Sequence, residues 1–565
     1  MSSEVPYQIA ELCADRGITD VIICPGSRSA PLALAFLRSK RFTCRTFSDE
    51  RSAAFVAVGM AQQTSRTVVL ICTSGSAGYN FAPAVAEAFY QQIPLLVLTA
   101  DRPREWVDQL DGQTIRQSNL YGSHVKKSID IPQGDGHPDT SWFSNRSVNE
   151  AISLADAMPR GPVHINIPFR EPLYPSKEST NNGGSHSVRT IIPISSNRIL
   201  DETQWETLVK TISQFRKILV VPGQYEDPGL VQVIQSFQRS HPWAFAGDIL
   251  SNFHSLQFYC RRADTYLGQL SEEDLASLQP ELLITFGKSL VAKNLKLFLR
   301  KNPAVAHWHI HEEGVPADTF QSLTISINTS PRYFFEELAK RLKTPVSGTY
   351  ADVWSRYESK AEGAVTSFFR DHHDGEFAFL QKVMSSLPDS CNLHLANSMS
   401  VRYANHIGLM SQQKGIRVFS NRGTSGIDGC TSTALGHALA SSAPNVLITG
   451  DQAFFYDRNA FWHNYLVPNL FVVVLNNHGG IIFNMIDGPA GLPEAEEFFV
   501  TRQALNAKPL ATEFGLAYFD GAKASLQEFF KAERQAKILE FETTQKLNTS
   551  IFEAFRKHIK KTYEA

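Results

Sequence analysis

The stretch NVLITGDQAFFYDRNAF (445–461) reads as a buried strand that ends in Gly-Asp and runs into a helix. NLFVVVLNNHGGIIFN (469–484) reads as a second buried strand, ending in Asn-Asn-His-Gly-Gly. Neither strand alternates polar with apolar residues, the pattern of a parallel sheet covered on both faces. Asp451 and Asn477 lie 26 residues apart, room for one helix and the next strand. A single crossover therefore brings a carboxylate and a carboxamide oxygen to the same sheet edge, where open parallel sheets bind their ligands. Hard oxygen donors of this kind, with a carbonyl from Gly479, suit Mg²⁺ shared with phosphate oxygens. Helix N-termini at that edge offer N–H groups to the phosphates.

The same alternation extends outward through the chain. Residues 21–24, 67–72, 94–99 and 163–168 read as strands, with helical spacing at 31–38, 50–63 and 78–90. The polar run PSKESTNNGGSHS (175–187) reads as a linker. Strands at 218–221, 282–286, 305–310 and 323–327 form a second unit, with a weaker boundary near KTPVSGTYADVW (343–354). The third unit has strands at 392–395, 417–420, 446–449 and 470–475. The expectation is an α/β protein of three doubly wound parallel-sheet domains, at 1–178, 190–345 and 360–565.

Composition narrows the class. With 43% hydrophobic and 11% aromatic residues in 565, the chain has material for packed cores. Its 54 Lys+Arg against 56 Asp+Glu argue against a general nucleic-acid or membrane-surface binder. No apolar run approaches the ~18–20 residues that span a bilayer, and the N-terminal MSSEVPYQIAELCADRG lacks the charge and apolar core of a signal peptide. Seven scattered cysteines without a CxxC pair suit reduced thiols, so a cytoplasmic location is expected.

Gly-Asp followed one crossover later by Asn-Asn resembles the fingerprint of thiamine-diphosphate-dependent enzymes, with Gln452 where many members carry a second glycine. That resemblance implies a glutamate near the start of a helix in the first unit, set against the aminopyrimidine of the cofactor. Glu50, in RTFSDERSAAFVAVGMA (45–61), occupies that place. CPGSRSAPL (24–32), LTADRP (98–103) with DGQTIRQ (111–117), and SNRGTSGIDG (420–429) are similar to the 2-succinyl-5-enolpyruvyl-6-hydroxy-3-cyclohexene-1-carboxylate synthase family of the menaquinone pathway. The likeness runs through the first and third units and is thin in the middle one. It implies a transferase that decarboxylates 2-oxoglutarate on thiamine diphosphate with Mg²⁺ or Mn²⁺, and adds the succinyl carbanion equivalent to isochorismate by 1,4-addition. It also implies a site between two subunits, hence a homodimer or a dimer of dimers.

By the same resemblance, Arg28, Arg102, Arg402 and Arg422 contact the substrates, with Ser27, Gln113, Asn397 and Ser398 as polar partners. Two dicarboxylate substrates call for several fixed guanidinium groups. Ile427 matches the residue that props thiamine in its bent form, while Ile482 and Phe483 match apolar residues at the reacting centre. Ser420, Gly426 and Gly450 complete the cofactor positions around Asp451 and Asn477. In the middle unit, FGKSLVAKNL (286–295) places Lys293 on the isochorismate side, with Asn294 where some members have arginine. The alternating histidines of HWHIH (307–311) share a strand face and read as structural rather than metal-binding. Two alternatives remain at this level. One is another thiamine carboligase or decarboxylase, such as one forming acetolactate; the other is a non-catalytic nucleotide-binding protein, although no GxGxxG follows the first strand.

Overall fold

The computed structural model describes residues 4–133, 137–174, 188–194, 196, 198–343, 348–410, 412–413, 415–485, 488–531 and 533–564. The proposed linker at 175–187 lies outside the described residues, as do 344–347 of the weaker boundary. Three sheets organise the described residues, and every strand pair within them is parallel.

The first sheet contains β1 (Asp20–Ile23), β2 (Thr43–Thr46), β3 (Val68–Cys72), β4 (Leu95–Asp101), β5 (Ser128–Asp130) and β6 (Val163–Pro168), in the order β2-β1-β3-β4-β6-β5. The second has β7 (Ile218–Pro222), β8 (Ala244–Phe245), β9 (Leu282–Phe286), β10 (Ala306–His311) and β11 (Ile325–Asn328), ordered β11-β10-β9-β7-β8. The third has β12 (Asn392–Leu395), β13 (Arg417–Phe419), β14 (Asn445–Gly450), β15 (Leu470–Asn476), β16 (Ala517–Asp520) and β17 (Lys537–Glu542), ordered β13-β12-β14-β15-β17-β16. The outer sheets thus share one topology, in which the strand order reverses between β1 and β3 and again between β12 and β14. Such reversals open a crevice at the carboxyl ends of the strands.

Strands β3, β4 and β15 are buried along their whole length, as their unbroken apolar runs require. The helical spacing at 78–90 resolves into two helices, Ser76–Asn80 and Ala82–Gln91, divided at Phe81 just before Pro83. Pro83 has no N–H to continue the first helix and sits in the first turn of the second. The helix Glu50–Thr64 is buried on every side from Ser52 to Ala61, because it lies between the first unit and the helix Cys430–Ala440 of the third. The two axes come so close that a methyl on Gly59 would lie under 3.0 Å from the Thr433 carbonyl, and one on Gly436 under 3.0 Å from that of Val56. Phe55, Met60, Ala434 and Leu435 consequently belong to one hydrophobic core. The long helix Thr349–Asp371 joins the other two units, with Trp354 in the core of the middle one and Phe368 in that of the third. Among the described residues no helix is long and apolar enough to cross a membrane.

Candidate active site

Pairing of Gly450 with Leu475 aligns the ends of β14 and β15, so Asp451 and the two asparagines leave the sheet side by side. Asp451 opens the helix Asp451–Tyr456 and is 1% exposed. Its carboxylate accepts from Gln503 Nε2 at 2.7 Å and from the backbone N–H groups of Gln452 and Gly479. Burial pushes its pKa up, and these hydrogen bonds oppose the shift. The asparagines divide their tasks. Asn476 is structural, its Nδ2 donating to Glu540 at 2.8 Å and to the Leu505 carbonyl at 3.0 Å. Asn477 donates from Nδ2 to Glu376 Oε2 at 2.9 Å, which leaves its buried Oδ1 without a partner. Gly479 must be glycine, since a methyl there would lie under 3.0 Å from the Val500 carbonyl and Gln545 Nε2.

Asp451, the orphaned Asn477 Oδ1 and the Gly479 carbonyl form an all-oxygen donor set at one sheet edge. A buried acceptor left unpaired is costly unless something fills the position. This set fits a hard divalent cation that keeps open positions for phosphate oxygens.

A cavity of about 500 Å³ opens beside these oxygens. It is lined by Asn397, Ser398, Arg402, Arg422, Ile427, Gly450, Asp451, Asn477, Gly479, Ile482 and Phe483, so eleven of the expected positions meet at one place. Arg422 Nη1 donates to Asn397 Oδ1 at 2.8 Å, and Asn397 Nδ2 donates to the carbonyls of Asn421 and Gly426, each at 2.7 Å. Arg402 Nη1 donates to the Ser398 carbonyl at 2.6 Å. Among the described residues neither guanidinium has a carboxylate within 4.0 Å. Burial lowers the pKa of both arginines, and the charge of Arg422 lowers that of Arg402 further. The charge of Asp264 opposes the shift at Arg402, and those of Asp248 and Glu87 oppose it at Arg422. With no carboxylate in direct contact, the two partly desolvated cations are arranged for an anion to come. Ile427 is 38% exposed, an apolar side chain held out over the cavity. Ser420 and Gly426 stand behind the wall. The Ser420 carbonyl accepts from Gln91 and Gln224, and the Gly426 carbonyl accepts from Asn397.

A second cavity, of about 280 Å³, shares Met399 and Arg402 with the first. Lys293, at the start of the helix Lys293–Lys301, lines it together with Asn294, His406 and Arg556. Asn294 turns away from an anion: its backbone N–H donates to Asp264 Oδ1 at 2.6 Å, and its Nδ2 to the Asp264 carbonyl at 2.7 Å. The histidines of β10 are tied up locally. His307 and His309 both bond the Thr285 hydroxyl, at 2.8 and 2.9 Å, and burial pulls the pKa of each down to about 4.

The remaining expected residues cluster in the first unit and do not line the larger cavity. Arg28, 5% exposed, donates to the Phe169 carbonyl at 2.9 Å and stands 3.5 Å from Glu171. Burial lowers its pKa, as does the nearby charge of Arg102. Arg102 Nη2 donates to the Gly112 carbonyl at 2.8 Å, fixing the loop that carries Gln113. Ser27 is exposed in the β1 exit loop. Glu50 is half-buried in the first turn of its helix, which is capped by Asp49 accepting from the Ser52 N–H at 2.9 Å. Burial raises the Glu50 pKa, which favours a carboxyl that can hold a proton.

Sequence reasoning missed Glu376 and Gln503, which fix Asn477 and Asp451. Glu376 is 1% exposed, and burial raises its pKa to about 7. In the sequence it is an ordinary acidic residue in the first turn of a helix, carrying no spacing signal.

Parallel sheets whose strand-exit loops gather a carboxylate, an unpartnered carboxamide oxygen and two arginines without a carboxylate in contact fit a thiamine pyrophosphate enzyme. Residues 4–124 match the family described as thiamine pyrophosphate enzyme, N-terminal TPP binding domain. Over nearly its full length the chain is similar to proteins named 2-succinyl-5-enolpyruvyl-6-hydroxy-3-cyclohexene-1-carboxylate synthase. The relative from Cytophaga hutchinsonii is 44% identical, with 99% of each chain covered. That from Porphyromonas gingivalis is 37% identical over 98% of this chain and 96% of its own, and that from Flavobacterium psychrophilum 36% identical over 98% of both. The chain belongs to the family of 2-succinyl-5-enolpyruvyl-6-hydroxy-3-cyclohexene-1-carboxylate synthases.

Proposed function

We propose that this protein is the transferase of menaquinone biosynthesis that decarboxylates 2-oxoglutarate and transfers the remaining succinyl unit to the ring of isochorismate by 1,4-addition. The observation that carries the reading is the pair of half-buried arginines, Arg402 and Arg422, with no carboxylate in contact among the described residues, beside the oxygen set of Asp451 and Asn477. An acetolactate-forming enzyme, with smaller and less charged substrates, gives these cations no purpose.

Asp451, Asn477 Oδ1 and the Gly479 carbonyl would hold Mg²⁺ or Mn²⁺, which would neutralise the diphosphate of the cofactor. Thiamine diphosphate, when bound, supplies the electron sink for loss of carbon dioxide. Ile427 would support the bound cofactor, and Ile482 and Phe483 would keep the reacting centre dry. Arg402 and Arg422 bind substrate carboxylates, held in direction by Ser398 and Asn397, so that the two reactants meet at near-attack distance. Lys293 extends the cationic surface into the adjoining cavity. Glu50 holds and shares a proton at the aminopyrimidine of a cofactor bound to another copy of the chain, where Ser27, Arg28, Arg102 and Gln113 would complete the substrate pocket. The working form is therefore a homodimer or a dimer of dimers, in the cytoplasm, built of domains 1–178, 190–345 and 360–565.

The test is incubation with 2-oxoglutarate, isochorismate, thiamine diphosphate and Mg²⁺, following loss of isochorismate absorbance and omitting each component in turn. Turnover that needs all four supports the reading. Consumption of 2-oxoglutarate with isochorismate untouched would sink it.

A further inference from the structure

We propose that Glu87 is a positioning residue for Arg422, acting from the first unit on the cavity of the third unit in the same chain. The side chain is 0% exposed, yet among the described residues it has no cationic partner within 4.0 Å. Both of its oxygens are spent on donors. Oε1 accepts from the Gly423 N–H at 2.9 Å and from Gln91 Nε2 at 3.0 Å. Oε2 accepts from the Thr424 N–H and from its hydroxyl, both at 2.7 Å. The two backbone donors are those immediately after Arg422. The approach is tight, for a methyl on Gly423 would lie under 3.0 Å from the Glu87 carbonyl.

The other side of the loop is held as well. Ser289 Oγ donates to the Arg422 carbonyl at 3.1 Å, and Gln91 Nε2 donates to the Ser420 carbonyl at 2.7 Å. With its backbone fixed on both flanks, Arg422 starts from a set position and extends its guanidinium to Asn397 at the cavity wall. Fastening two units needs no buried carboxylate, because the apolar seam of Phe55, Met60, Ala434 and Leu435 already joins them. Apolar contacts are non-directional, whereas a carboxylate that receives adjacent N–H groups sets the orientation of the peptide it binds. Glu87 therefore supplies geometry that the seam cannot.

The inference rests on the proposed role of Arg422 in binding a substrate carboxylate. Its test is a double-mutant cycle in the assembled holoenzyme with Glu87→Gln and Arg422→Ala, reading KM and kcat for both substrates, with thermal melting as a check on folding. Glu87→Gln replaces one accepting oxygen by an amide N–H₂ that faces donors, so the loop shifts. The expected result is about a tenfold or greater rise in one substrate KM with kcat changed less. In the Arg422→Ala background the same change should move KM less than about twofold. Thr424→Val, which removes only the hydroxyl bond to Oε2, should give a smaller rise of the same kind, and serves if Glu87→Gln fails to fold. An equal effect of Glu87→Gln with and without Arg422 makes Glu87 interface structure only and overturns the proposal. Wild-type KM in both Glu87→Gln and Thr424→Val overturns it too. A wild-type enzyme that does not turn over removes the functional reading and this inference together, a result distinct from additivity in an active enzyme.

Discussion

The two outer units share a strand order and differ in what their strand exits make of it. In the third, the exits of β12, β13, β14 and β15 surround about 500 Å³ of space and place two arginines beside an oxygen set. In the first, the equivalent exits bring Ser27, Arg28, Arg102 and Gln113 close together, but Arg28 and Arg102 each have a carboxylate at hand, Glu171 at 3.5 Å and Asp111 at 3.6 Å. One region is a vessel and the other a lid without a vessel. Fold alone does not make a site; the loops at the strand ends do. Under the proposed assembly the lid of one chain closes the vessel of another.

Substitutions in the two regions should therefore fail in different ways. The largest effect is expected from Asp451→Ala, which should abolish the thermal stabilisation given by thiamine diphosphate with Mg²⁺ and cut turnover by about a thousandfold or more. A retained thermal shift would remove Asp451 from the metal site. Glu50→Gln, in the other region, should leave that shift nearly intact while slowing C2 proton exchange of the bound cofactor by roughly 10²–10⁴-fold. Exchange at the wild-type rate would break the division between the two halves. Arg422→Ala should raise a substrate KM by about 10–100-fold through loss of charge-assisted hydrogen bonds, with cofactor binding unchanged; weakened cofactor binding instead would assign the residue elsewhere. Gly59→Ala strikes the join between the regions. It should lower stability in urea by about 1–3 kcal/mol, and an unchanged midpoint would mean the helices can part to admit a methyl. The smallest effect is expected from Lys293→Ala, within about fivefold in KM for isochorismate, because an exposed cation contributes little. A hundredfold loss would move the middle unit into the heart of the site.

The parallel sheets were legible because β3, β4, β14 and β15 are continuous apolar runs. β17 was not, although it lies inside its sheet, because KILEFE contains two buried charged residues. Lys537, 0% exposed, pairs with Glu533 at 3.0 Å, and Glu540 accepts from Asn476 and Ala507. Lys537 is satisfied by a neighbour four residues back, but Glu540 is made tolerable by partners distant in the chain, which periodicity cannot see. β2, β5, β8 and β16 escaped for the opposite reason: they are short and at or near sheet edges, where the apolar pattern fades. The same limit applies at the site. Asp451 and Asn477 announce themselves by spacing, whereas Glu376, the partner of Asn477, stands 101 residues upstream with no motif around it.

The crossing of Gly59 over Gly436 bears on how the chain is made. Synthesis begins at the N-terminus, and the helix Glu50–Thr64 leaves the ribosome long before its cover, Cys430–Ala440. Until that cover exists, the face that carries Phe55, Gly59 and Met60 has nothing from the third unit to bury it. The first unit is therefore born with a sticky surface, the kind that chaperones shield, and it reaches its final state only when nearly the whole polypeptide has been translated.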